Sequence, residues 1–108
     1  MNKRENTVDD IVFEKLANSR DDAKSAVDIA HELDMPSRKI YAIIRDLRRR
    51  GVPIVSDKNG KGYWIAKEPH DIRMWARQSQ AAAFDMLSTA SKLLNVADSM
   101  EDDQISLI

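Results

Sequence analysis

Arginines dominate the one stretch of this chain whose residue types and spacing suggest a chemical task. Between residues 35 and 51 lie Arg38, Lys39, Arg45, Arg48, Arg49 and Arg50, with a single acidic residue, Asp46. Ile40, Ile43, Ile44 and Leu47 recur there at helical spacing, so they form one apolar stripe, and the cations fall on the remaining faces. Gly51 supplies the stop, because it tolerates the left-handed backbone that closes a helix. A helix with one buried face and an Arg-rich opposite face is what reading a DNA groove requires; a surface helix with solvated arginines has the same pattern.

No other stretch offers reactive chemistry. The sequence has no Gly-rich phosphate loop, no Ser/His/Asp or Cys/His set, and no pair of histidines at ligand spacing. Asp21-Asp22 and Asp102-Asp103 are adjacent carboxylates of the kind that solvate or cap chain segments. No catalytic residue is expected, and the chain is not expected to be an enzyme. Cysteine is absent, which removes disulfides and thiolate metal sites, and His31 and His70 are too scattered to form a metal cluster. No metal and no cofactor are expected.

The net charge of −1 over 108 residues hides a polarity. From residue 36 to 67 there are nine Lys and Arg against Asp46 and Asp57, a net of +7, so the remainder carries −8. Such asymmetry points to one face for a polyanion and another kept away from it. No run of 18 apolar residues occurs, so no membrane association is expected. The first residues lack the apolar core of a signal peptide, which gives a cytoplasmic expectation.

The elements that must position the arginines follow in order. Thr7 with Asp9 and Asp10 starts a first helix, buried through Val8, Ile11, Val12 and Leu16 and running to about Asn18. Ser19 to Asp22 reads as a loop. Ser25 caps a second helix, with Asp28 in the capping-box place and Ala26, Ile29, Ala30 and Leu33 inward. Pro36 breaks the chain, and Pro36 or Ser37 opens the arginine helix. Beyond Gly51 the period changes. Residues 52–56 are β-branched, Asn59-Gly60 is a strong hairpin turn, and residues 62–66 return as a second strand. A hairpin of this size must pack on the helices.

From Asp71 to about Met100 there is no Gly or Pro. In a heptad register the a positions are Ile72, Ser79, Met86, Leu93 and Met100, and the d positions are Trp75, Ala82, Thr89 and Val96. All four e positions, Ala76, Ala83, Ala90 and Ala97, are alanine. A stripe kept over about 30 residues spans roughly 45 Å, more than a small domain can cover. We read residues 69–100 as a dimerisation helix, antiparallel or within a bundle, with Ile72, Trp75, Ala82, Met86, Leu93 and Val96 in its seam. The competing expectation is a helix folded back on its own domain. Residues 101–108, acidic and then apolar, have the composition of a disordered tail.

Helix, helix, turn, helix and hairpin, in that order, resemble the winged helix-turn-helix domain. The resemblance covers residues 7–67. It is carried by Ile29-Ala30-His31-Glu32-Leu33-Asp34-Met35-Pro36-Ser37-Arg38-Lys39-Ile40, Leu47, Gly51 and Gly60-Lys61-Gly62-Tyr63-Trp64-Ile65. These are similar to the N-terminal DNA-binding domain of biotin-repressor-type regulators and small phage and bacterial winged helices. One departure is Pro36, where that family places a Ser or Thr cap. The implied fold is mainly α with a small β-hairpin, followed by the long C-terminal helix. The implied partner is double-stranded DNA. Ser37, Arg38, Tyr41 and Ala42 would reach base edges, Arg38 as a bidentate reader of guanine. Lys39, Arg45, Arg48 and Arg49 would hold phosphates. Lys58, Asn59 and Lys61 at the wing tip would touch a minor groove or the backbone, and of Tyr63 and Trp64 one would cover the core.

The last five residues, Gln104-Ile105-Ser106-Leu107-Ile108, resemble the bacterial sliding-clamp-binding peptide, with Gln104, Leu107 and Ile108 as its anchors. Ile108 departs from the usual phenylalanine. A frayed end and a strand added to a neighbour are alternatives, and the acidic-then-apolar composition is also similar to the tail of single-strand-binding proteins. Two functional expectations follow. One is a small homodimeric transcription regulator of bacterial or phage origin, cytoplasmic and nucleoid-associated when bound to DNA. The other is a phage or plasmid DNA-replication adaptor whose tail recruits a replication protein such as the clamp. A fold of this kind used only for protein contacts is the third.

Overall fold

Polar caps and left-handed closures set the limits of the helices. The structure, a computed structural model, describes residues 7–57 and 62–106, with side chains to Asp103. Helix α1 (Val8–Lys15) opens on a capping box: the Thr7 hydroxyl accepts from the Asp10 N–H, and the Asp10 carboxylate accepts from the Thr7 N–H, both at 3.2 Å. It ends earlier than the expected Asn18, because Leu16 turns extended and the Ala17 carbonyl accepts the Ile65 N–H at 2.8 Å. Val12 and Leu16 are buried as expected, whereas Val8 and Ile11 stay partly exposed.

Helix α2 (Ala26–Leu33) is capped by Ser25, whose hydroxyl accepts from the Asp28 N–H at 3.0 Å. It closes on Asp34 in the left-handed region, φ +52°, with the Met35 N–H returning to the Ala30 carbonyl at 2.9 Å. Pro36, extended, is the residue before the first turn of α3 (Ser37–Arg49), and no side chain caps that turn. Its far end is a Schellman closure. The Gly51 N–H bonds the Arg48 carbonyl and the Val52 N–H the Leu47 carbonyl, both at 3.0 Å, with Gly51 at φ +91°.

Strands β1 (Ile54–Ser56) and β2 (Tyr63–Ile65) pair antiparallel, with Ile54 opposite Ile65, Val55 opposite Trp64 and Ser56 opposite Tyr63. Alternation along the strands gives the hairpin two buried faces. Ile54, Tyr63 and Ile65 meet the helical core of Val12, Ile29, Ile40, Ile44 and Leu47. Val55, Trp64 and Ala66 meet a second cluster built from Ala17, Ala23, Ile72 and Trp75. Trp64 is thus the aromatic that is buried, and Tyr63 is partly so. The other edge of β2 is clasped by Lys24, which exchanges two backbone bonds with Tyr63, at 2.7 and 3.3 Å. Gly62, at φ +113°, is required there, because a Cβ would overlap the backbone of Lys24 and Ser25.

The last element, α4 (Pro69–Ser106), is 38 residues long, so roughly 57 Å. It overruns the expected Met100 and takes in residues 101–106, which composition alone placed in a disordered tail. The boundary between compact units also differs from the expected one near residue 68. One unit runs over Met1–Trp75 and the other over Ala76–Ile108, because Ile72 and Trp75, on the first turns of α4, complete the second cluster of the first unit. No helix among the described residues is long and apolar enough to cross a membrane.

Candidate nucleic-acid interface

At about 100° per residue, α3 sorts its cations into three sectors. Ile40, Ile43, Ile44 and Leu47 face the core and are buried. Arg38, Ala42, Arg45 and Arg49 project from the opposite side, all exposed, as a ridge roughly 16 Å long. Among the described residues none of these three arginines makes an ion pair, and neither does Lys39. A ridge of unpaired guanidinium groups, each carrying a planar fork of donors, matches phosphate oxygens and guanine edges in geometry and charge. Ser37, half-buried, sits at the start of the ridge.

The two flanks are committed inside the protein. On one, Arg50 pairs with Asp9 at 2.6 Å and with Asp46 at 3.4 Å, tying the end of α3 to the start of α1. On the other, the expectation that Arg48 holds a phosphate is corrected. Its Nε donates to the Ile54 carbonyl at 2.8 Å, and its guanidinium carbon lies 4.1 Å from the Trp75 ring centroid and 5.4 Å from that of Tyr63. Burial holds the Arg48 pKa below its ordinary value, opposed in part by the Tyr63 phenol. Burial also raises the Tyr63 pKa, with Tyr41 adding to the rise and Arg48 opposing it. Arg48 therefore joins α3, β1, β2 and the first turns of α4, and only a helix-wheel offset from Arg49 distinguishes it in the sequence.

Tyr41 stands at the edge of this flank, half exposed, with its ring edge-on to Tyr63 at 6.4 Å between centroids. The wing-tip residues Lys58, Asn59 and Lys61 lie outside the described residues. Elsewhere Arg20 pairs with Asp57 at 3.0 Å, joining the 19–22 loop to the base of the hairpin, and Glu32 pairs with Lys24 at 3.4 Å and with Lys15 at 3.8 Å.

In the expected dimer seam, Ile72 and Trp75 are corrected to partners of the hairpin, partly buried against Val55, Trp64 and Ala66. Met86, Leu93 and Val96 are exposed, as is Ala82; from Gln80 to Asp103 every residue of α4 is. In the terminal motif Gln104 is part of α4 by its backbone, while Leu107 and Ile108 lie outside the described residues. Comparison with family models, curated proteins and solved structures found no match to this chain.

Proposed function

We propose that residues 7–67, with the first turns of α4, form a winged helix that binds double-stranded DNA through α3. The observation that carries this is the selective freedom of Arg38, Arg45 and Arg49. Arg50 is engaged by Asp9 and Asp46, and Arg48 by Ile54 and Trp75, whereas among the described residues Arg38, Arg45 and Arg49 make no ion pair and line the face opposite the core, with Lys39 unpaired beside them. A ridge of this length enters a major groove about 12 Å wide, with Arg38 and Ala42 toward base edges and Arg45 and Arg49 toward phosphates. The chain would act as a small dimeric transcription regulator, of bacterial or phage type, on a palindromic or repeated site. The replication-adaptor alternative has less support, because Gln104 would have to leave α4 before the terminal peptide could lie extended in a groove on another protein.

A gel-shift series over salt concentration tests this. Affinity for a selected duplex should fall steeply as salt rises, since phosphate contacts release counterions. Arg38→Ala should relax base preference, whereas Arg49→Ala should weaken all sequences alike and flatten the salt slope by about 0.9. Duplex affinity that does not respond to salt overturns the proposal.

A further inference from the structure

The largest unexplained surface lies on α4 beyond Trp75. Met86, Leu87, Leu93, Leu94, Val96 and Met100 are each more than half exposed, and they fall with Ala83, Ala90 and Ala97 on an arc of about 180°. An apolar arc of this breadth and length is a protein-binding surface rather than a solvated one. We propose that it seats a second copy of this chain lying antiparallel, with Met86 level with the partner's Thr89 and Leu93 level with the partner's Ala82. This deepens the dimer part of the proposed function.

Charge selects both the occupant and its direction. Asp85 and Lys92 are the charged residues in the g positions beside the seam, and both are exposed. In an antiparallel pair, g positions meet g positions, so Asp85 faces the partner's Lys92 and Lys92 the partner's Asp85, two symmetric ion pairs. The opposite edge then brings alanine to alanine, Ala83 beside the partner's Ala90, which lets the backbones approach. In a parallel pair, g meets e: Asp85 and Lys92 face only alanines, and the ends carrying Asp98, Glu101, Asp102 and Asp103 lie side by side with like charge. The helix thus complements a reversed copy of itself and repels an aligned one.

Spin labels on the full-length protein test this, since the chain contains no cysteine and each introduced one is unique. Ser99→Cys lies level with the partner's Ala76 in the antiparallel pair, so its two labels should be roughly 35 Å apart along the axis. Ser88→Cys, near the dyad, should give a short distance. Short distances at both positions would establish a parallel pair and overturn the proposal, and no coupling at Ser88, with a monomeric mass, would overturn the second copy itself. Sedimentation should show Asp85→Lys weakening association about fivefold at low salt, with Asp85→Lys/Lys92→Asp restored to within about twofold. A double variant as weak as the single overturns the pairing. DNA enters neither measurement, so loss of the DNA-binding proposal would leave these outcomes unaffected.

Discussion

Replacing Arg48 by alanine separates a structural cation from a binding one more sharply than any other change. The substitution removes the Nε donor to the Ile54 carbonyl at 2.8 Å, a charged hydrogen bond contributing about 1.5–3 kcal/mol. It also removes the guanidinium from the Trp75 and Tyr63 rings, each stacking contact contributing about 0.5–2 kcal/mol. Release of a partly desolvated charge offsets some of this, and the net loss should be about 3 kcal/mol. Urea unfolding followed by tryptophan fluorescence is the assay, because Trp64 and Trp75 both belong to the cluster beside Arg48. At a slope of about 1.5 kcal/mol per molar urea, the midpoint should fall by about 2 M. Arg49→Ala should move stability by no more than about 0.5 kcal/mol, since its side chain is exposed and makes no ion pair among the described residues. DNA affinity should reverse the order, with the salt slope reduced by about 0.9 in Arg49→Ala and kept in Arg48→Ala under conditions where it is folded. An unchanged urea midpoint for Arg48→Ala, with a flattened salt slope, would refute the assignment.

Gly62→Ala should lower the melting temperature by more than about 10 °C, because a Cβ there overlaps the Lys24 and Ser25 backbone at φ +113°; Gly51→Ala, at φ +91° with open space around it, should cost only about 1 kcal/mol. Asp34→Gly should stabilise the protein by about 1 kcal/mol in thermal melts, since it relieves a left-handed non-glycine residue at φ +52°. Tyr63 has its pKa raised above 10.0 in the folded state, so the unfolded chain loses that proton first as pH rises. Its contribution to stability should be intact below about pH 10 and lost as pH climbs through the folded value, and Tyr63→Phe should flatten that alkaline limb of a stability–pH profile.

The arrangement of elements was legible because local signals agreed with one another. Thr7, Ser25 and Gly51 each sit where a side-chain cap or a left-handed closure is needed, and the Ile40–Leu47 spacing fixes which face of α3 is buried. The hairpin was legible as a hairpin, but its two-sided burial was not. Period-2 alternation in Ile54, Val55, Tyr63, Trp64 and Ile65 names two faces without saying that both are covered, and the cover comes from residues as distant as Ala17, Ala23, Ile72 and Trp75. The same long-range packing moved the unit boundary from the Lys67-Glu68-Pro69 junction into α4, where no Gly or Pro marks it. A heptad register assigns Ile72 and Trp75 to the seam on period alone, and cannot know that the hairpin uses them first. Residues 101–106 misled for a related reason: acidic composition reads as disorder, while an uninterrupted helix of good formers continues through it.

Charge counting fails in an instructive way on α3. A net of +7 between residues 36 and 67 treats every cation as available, but availability depends on what lies within reach of each side chain. Arg48, Arg49 and Arg50 are consecutive, so the helix turns them about 100° apart, toward the hairpin, toward solvent and toward α1. The hairpin offers a carbonyl and the Tyr63 ring, the first turns of α4 offer the Trp75 ring, and α1 offers Asp9; solvent offers nothing that competes with a polyanion. A guanidinium that already holds a good partner must give it up before taking a phosphate, and its net gain on binding is small. One that stands in water exchanges only water and counterions, and gains the most. Of these three consecutive arginines, Arg49 is the one left for the proposed polyanion, and Arg48 and Arg50 are fasteners. Arg38, Arg45 and Arg49, without an ion pair among the described residues, share one helical face because their spacing of seven and four residues places them there, and the fasteners on either side hold that face outward.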